Sequence, residues 1–234
     1  MPEINLPTQA VQAQIKAKVD NIDNTTKDIQ TKVTTMNNTL PTIGKKLRSR
    51  VYTVNGTFVV PAGVTEVYLT GGGGGGGAGG PSSSYGSGTS GGVTSFGTLK
   101  SMSGGRGGDV AGSNPNQGGG AGGPGGGVGG GGSNITVAMI SGDGGNSGPY
   151  TGGKGSCYES SNTPGMYCSG GGAPRAGDVR YAPAGGGGAE FIYDFPVTVT
   201  PGATVNVTIG GPGRCPFGGN GDGGSGILTV KWWE

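Results

Sequence analysis

Glycine decides what this chain can fold into. Of its 60 glycines only Gly44 lies in the first 50 residues, so glycine makes up about a third of residues 51–234. The glycines gather in four tracts: Gly71 to Gly80, Gly118 to Gly132, Gly170 to Gly188 and Gly210 to Gly226, the last two with interruptions. Glycine loses more backbone entropy on folding than any other residue, so disorder is the default for such a composition. Collagen needs a strict Gly-X-Y period, and Ala121, Pro124 and Val128 break it by falling three and then four residues apart. Good strand sequence at both ends of the glycine region argues against disorder.

Runs rich in β-formers occur at 51–54, 57–60 and 64–70, with Asn55-Gly56 between the first two as a hairpin signal. Past the tracts, Phe191, Tyr193 and Phe195 alternate on what reads as one core face. Val205, Val207 and Ile209 alternate again, and Leu228, Val230 and Trp232 close the chain. Weaker strand signals cover 95–99 and 135–140. First and last strands are expected to meet in a small antiparallel sandwich that clamps the glycine region. Only 31% of residues are hydrophobic, so the middle must be ordered largely by backbone. Tracts with a local period near three suit polyglycine-II-like segments. In such segments the amides bond to neighbouring segments and nothing projects to keep backbones apart.

Residues 1–50 differ. They carry eight Lys/Arg against four Asp/Glu, whereas 51–234 carry seven against nine. After a short leader with Thr8 as N-cap, Ile15, Ile22, Ile29 and Met36 recur seven apart, with Val19, Thr26, Val33 and Leu40 four residues after each. The pattern predicts a helix to Leu40, about 50 Å long at 1.5 Å per residue, stopped by Pro41. β-branched residues at both core positions of a sustained heptad favour more than two strands. The expected fold class is therefore mainly β with glycine-rich polyglycine-II-like segments, led by an N-terminal α-helical coiled coil assembling as a parallel trimer. The trimerisation seam is Ile15, Val19, Ile22, Thr26, Ile29, Val33 and Met36. The expected domains are 1–50, a stalk with a basic neck at Lys45, Lys46, Arg48 and Arg50, with Ile43 and Leu47 in that neck, and 51–234, the glycine-rich body.

Chemistry is sparse. Without histidine the commonest general base and metal ligand are missing. No Gly-Lys-Ser/Thr follows a glycine tract, no two carboxylates are placed together, and Asp143 and Asp222 lack the acidic spacing of a calcium loop. No catalytic residue, metal or cofactor is expected, and the chain is read as not an enzyme. No secretory signal follows Met1 and no run is apolar enough to span a membrane. Cys157 and Cys168 bracket a short loop and are a candidate disulfide, with Cys215 left over. The binding candidates lie between tracts: Tyr150, Tyr158, Met166, Tyr167, Arg175, Arg180 and Tyr181. Tyrosine and arginine dominate contact hot spots, and a glycan would stack on such rings.

Residues 57–67, Thr-Phe-Val-Val-Pro-Ala-Gly-Val-Thr-Glu-Val, lead straight into Gly71–Gly77. With Ser95-Phe96-Gly97 before Gly104-Gly105, the Pro201 to Gly210 segment and the Gly226 to Trp232 strand, this resembles the glycine-rich domain of tailed-phage tail fibres and receptor-binding proteins. In composition the tracts are also similar to the polyglycine-II tail-fibre adhesins of T-even-type phages. The resemblance covers 51–234 and implies a virion tail or fibre protein, made in the host cytoplasm. Its partners would be itself as a homotrimer, a baseplate or tail protein at the N-terminus, and a host-cell surface glycan or protein, with neither nucleic acid nor membrane insertion. Two other readings stand beside it: a purely structural fibre or adaptor whose adhesin is another chain, and a glycine-rich antifreeze-type protein.

Overall fold

The structure is a computed structural model that describes residues 8–39, 44–80, 86–110, 119–131, 133–135, 138–153, 162–174, 183–216 and 219–234. The chain divides into two compact units, 1–46 and 47–234.

The first unit is built on helix α1, Gln9–Thr39. The Thr8 carbonyl accepts the Gln12 N–H at 3.0 Å and opens it. Exposed Lys16–Asp20 and Asp28–Lys32 pairs one turn apart lie along its polar side. The seam residues face solvent: Ile15 is 54% exposed, Ile22 63% and Met36 61%, with Val19, Ile29 and Val33 close behind. Thr26, the polar seam position, turns its hydroxyl back onto the Ile22 carbonyl at 2.9 Å. The parallel trimeric coiled coil expected from the heptad is therefore corrected to a single helix. A heptad seam is buried only against a second helix, and the described residues of the first unit form a single one. Leu40, Pro41 and Ile43, where the helix stop and neck were expected, lie outside the described residues.

The second unit brings its large apolar side chains onto short strands: β1 Leu47–Tyr52, β2 Gly56–Val59, β3 Glu66–Gly72, β4 Thr94–Phe96, β5 Lys100–Met102, β6 Ser133–Ile135, β7 Ala138–Ile140, β8 Phe191–Thr198, β9 Thr204–Thr208 and β10 Ile227–Trp233. Two antiparallel four-stranded sheets result, ordered β1-β10-β3-β8 and β2-β9-β4-β5, with β6 and β7 as a separate pair. A core of Tyr52, Phe58, Val60, Val64, Val67, Leu69, Phe96, Met102, Val197, Val199, Val207, Leu228 and Val230 joins the two sheets. Phe58 sits at its centre, with ring centroids 5.8 Å from Phe96 and 5.2 Å from Trp232. The expected fold class is thus corrected to one helix and two antiparallel four-stranded sheets, a small β-sandwich-like domain. Most of the side chains that make the core fall on these strands, and Val60, Val64 and Val199 lie in the connections beside them.

The Asn55-Gly56 hairpin does not form. β1 pairs with β10 and β2 with β9, in different sheets. A two-residue type I′ turn needs positive φ at both central residues, and neither Asn55 nor Gly56 has it. The Asn55 amide oxygen instead accepts the Ile209 N–H at 2.8 Å and ties down the end of β9. Two of the weaker strand signals also resolve differently. Residues 97–99 are a turn between β4 and β5, and 135–140 contributes to two strands rather than one.

The glycine tract beyond β3 belongs to neither sheet. Its N–H groups are shared out in rotation. Gly74, Gly77 and Gly80 donate to Gly92, Thr89 and Gly86; Gly73, Gly76 and Gly79 to Glu190, Gly187 and Ala184; Gly75 and Ala78 to Gly224 and Gly221, all between 2.8 and 3.2 Å. Its carbonyls accept from other segments, Gly74 and Gly77 from Gly105 and Gly108, Gly76 from Gly171 and Gly75 from Gly213. Every third residue thus faces the same neighbour, the turn of a threefold helix. This buried backbone satisfies its polar groups with no side chain involved. Apart from Ala78, the spacing leaves no room for a side chain: a Cβ on Gly75 would lie 1.8 Å from the Ser169 carbonyl oxygen.

Candidate functional site

The site begins with a fault in β8. Opposite β3, Phe195 pairs with Leu69 and Ile192 with Gly71, so Tyr193 and Asp194 together face Thr70. This is a β-bulge, with Asp194 in the left-handed region at φ 41°. Asp194 can hold that conformation because Thr70 exchanges bonds with it. The Thr70 hydroxyl donates to Asp194 Oδ1 at 2.9 Å, the Asp194 N–H returns to Thr70 Oγ1 at 3.0 Å, and Lys231 Nζ donates to the same carboxylate at 2.7 Å. The extra residue reverses the alternation. Ile192 packs against the core, and Phe191 and Tyr193 turn to the opposite face, with Tyr193 63% exposed. The expected core face of Phe191, Tyr193 and Phe195 is corrected accordingly. Phe195 stays on the core side of the bulge but lies at the sheet edge, 41% exposed, with Lys100 Nζ 5.0 Å from its ring centroid.

Two turns from the glycine region bring further rings beside Phe191. Ser147 and Tyr150 exchange both backbone hydrogen bonds, at 3.0 and 2.9 Å, around Gly148-Pro149. Gly148 has φ +53°, the positive value that a type II′ turn needs at its first central residue. Buried Ser147 anchors the turn by donating its hydroxyl to the Ala189 carbonyl at 2.9 Å. Gly148 also lies against Phe191, since a Cβ there would meet that ring at 2.5 Å. The second turn is Met166 to Ser169, closed by the Ser169 N–H on the Met166 carbonyl at 3.1 Å. Its third residue, Cys168, has φ 63°, the place that a type II turn usually gives to glycine. The Ser169 hydroxyl braces it, 2.7 Å from the Thr151 carbonyl and 2.8 Å from that of Met166.

A continuous row of rings results. Tyr167 and Tyr150 have centroids 5.7 Å apart, Tyr150 and Phe191 5.9 Å, and Phe191 and Tyr193 4.9 Å, with planes inclined by 64°, 67° and 56°. Its two ends are open, Tyr167 at 42% and Tyr193 at 63% exposure, and Met166 beside Tyr167 is also exposed. Edge-on aromatic pairs of this kind each add about 0.5–1.5 kcal/mol beyond their burial, so the row is rigid without being covered.

Below the row the chemistry is quiet. Cys168 is buried with a free thiol, which desolvation pushes up to about 12 despite backbone hydrogen bonds from Ile227 and Gly72. Burial also raises the Tyr150 phenol, with Cys168, Tyr167 and Tyr193 adding to the shift. At the base of β8, Glu190 accepts the Ser103 N–H at 2.9 Å, the Ser103 hydroxyl at 3.1 Å and Lys100 Nζ at 3.2 Å. Burial works against its charge, but the Ser103 bonds and the lysine outweigh it and hold the carboxyl below its ordinary value. Among the described residues no group of three or more His, Cys, Asp or Glu could hold a metal ion, and no helix is long and apolar enough to cross a membrane.

Of the binding candidates read from the sequence, the structure brings Tyr150, Met166 and Tyr167 together. Tyr158, Arg175, Arg180 and Tyr181 lie outside the described residues, as does Cys157, the expected partner of Cys168. Phe191 and Tyr193 were missed as members of the row. Their signal was Asp194, a residue depleted in strands and tolerant of left-handed backbone, set between two aromatics. No protein-family model, curated protein or solved structure matches the chain.

Proposed function

We propose that this chain is a virion tail-fibre or receptor-binding protein that attaches to a host-cell surface through the aromatic row Tyr167, Tyr150, Phe191 and Tyr193. The observation that carries the reading is the row itself: large apolar rings held open at both ends on a base of backbone hydrogen bonds. An isolated exposed ring is ordinary, but contiguous exposed aromatics on a rigid frame suit recognition. Tyrosines whose rotamers are already fixed by ring–ring contact lose little entropy on binding. The virion setting is supported by the resemblance of residues 57–77, 95–105, 201–210 and 226–232 to glycine-rich phage fibre domains. The protein binds and does no chemistry at this surface.

The test uses the full chain and the two end residues, whose exposure makes a folding defect from truncation small. Tyr167→Ala with Tyr193→Ala is expected to lower adsorption of the purified protein to host cells by at least tenfold while the melting temperature stays within a few degrees. Undiminished adsorption at unchanged stability would remove the row from the attachment surface.

A further inference from the structure

Resting on the attachment role proposed above, we infer that the ligand of the aromatic row is a single uncharged glycan chain, laid lengthwise from Tyr167 to Tyr193. Geometry and charge lead there separately.

Successive ring centroids in the row are 5.7, 5.9 and 4.9 Å apart, a stride close to one pyranose unit of an extended oligosaccharide. The planes do not lie flat. Each is inclined to the next by 56° to 67°, so a crystalline or sheet-like surface would touch one or two rings and leave the others idle. A glycan chain turns about each glycosidic linkage and can offer the C–H face of each sugar to a differently tilted ring. The middle rings, Tyr150 and Phe191, are part-buried, and Tyr167 and Tyr193 are the more exposed ends. That profile matches a chain contacted along its length rather than a single sugar held in a pocket.

The row also offers no net charge to its ligand. Its members are three phenols and a phenyl ring. The two carboxylates of the segment that carries Phe191 and Tyr193 are each neutralised, Glu190 by Lys100 at 3.2 Å and Asp194 by Lys231 at 2.7 Å. Among the described residues of the row and its segment, a polyanionic chain would find no unpaired cation, and an acidic or basic peptide no complementary charge. Polar contacts are available from neutral groups at the Tyr150 end, where Thr151 and Asn146 flank the turn. There the Asn146 amide oxygen already accepts the Gly152 N–H at 2.8 Å.

The experiment measures binding of the full-length protein to immobilised glucan, mannan and galactan oligosaccharides, graded from disaccharide to octasaccharide, beside uronic-acid and sialylated oligosaccharides. Whole bacterial cells treated with periodate or with protease run in parallel. Binding to an uncharged series is expected, strengthening with length up to about four sugars and then levelling, and little changed by salt. Tyr193→Ala and Tyr167→Ala should each weaken binding to the longer oligomers about tenfold and leave disaccharide binding less affected. Binding confined to the charged series, or failure with every uncharged oligomer, overturns the inference. So does cell adsorption that protease abolishes and periodate leaves intact, which would still uphold attachment through a protein. Failure to adsorb to any cell would instead sink the attachment role itself.

Discussion

A single methyl group in the glycine interior should do what few core truncations can. Replacing Gly75 by Ala places a Cβ 1.8 Å from the Ser169 carbonyl oxygen and 2.3 Å from its carbon, both backbone atoms. The segments must part until that distance reaches at least the 3.0 Å that real Cβ atoms tolerate. Three hydrogen bonds of 2.8 Å hold them where they are: Gly75 N–H to the Gly224 carbonyl, Gly213 N–H to the Gly75 carbonyl, and Gly224 N–H to the Ser169 carbonyl. Losing two of the three in a buried setting costs about 1–3 kcal/mol each. The alanine returns about 0.4–1 kcal/mol by restricting the unfolded chain, so Gly75→Ala should destabilise by roughly 1–5.5 kcal/mol, a large part of an ordinary domain's stability. Gly211→Ala is the matched control. Nothing lies within 4 Å of its Cβ and its φ is not positive, so it should be neutral or gain up to about 1 kcal/mol. Urea unfolding followed by tryptophan fluorescence reads both, because Trp232 packs on Phe58 in the core. If the two variants share a midpoint, close backbone approach is not what holds the interior together.

Two further predictions concern titrating groups. The Glu190 carboxyl is held below its ordinary value in the fold, so its contribution is fully present above the unfolded value of about 4.3 and is lost as pH falls through the lower folded value. Glu190→Gln should therefore be less stable than the parent at neutral pH and show a flatter loss of stability below about pH 4.3; parallel curves in acid denaturation would count against it. Cys168, buried and pushed up to about 12, should resist iodoacetamide at pH 8 in the folded protein and react after denaturation, as read by mass spectrometry of its peptide; rapid labelling of the native protein would contradict the burial.

Legibility in the sequence followed side-chain size. Strand positions such as Val67, Leu69, Val207, Leu228 and Val230 were readable because alternation marks a buried face. The helix was readable from its heptad, but a heptad records only that a stripe is apolar. It does not record what covers the stripe, which is why Ile15 to Met36 suggested a coiled coil where the structure shows one helix with its seam exposed. Asn55-Gly56 misled because its turn propensity lost to a long-range bond from the Ile209 N–H to the Asn55 amide oxygen. The aromatic row was half legible. Tyr150, Met166 and Tyr167 stood out as loop aromatics and a soft apolar neighbour, whereas Phe191 and Tyr193 were hidden by an alternation that one bulged residue reverses. The bulge depends on the Thr70–Asp194–Lys231 contact set, which joins residues far apart in the chain and leaves Asp194 between two aromatics as its one local sign.

The rotation of hydrogen bonds through the tract from Gly73 to Gly80 has a consequence for how such a protein can change over time. Each contact there uses groups that every residue owns, so the interior stores no pairwise code for a mutation in one segment to break in another. What it enforces is a prohibition, that no Cβ may enter at positions such as Gly75. Turn residues answer to different rules, with Tyr167 and the Gly148-Pro149 pair set at the rim. A lineage built this way can rewrite its turns while the glycine interior stays fixed, because the turns are written in side chains and that interior in bare backbone.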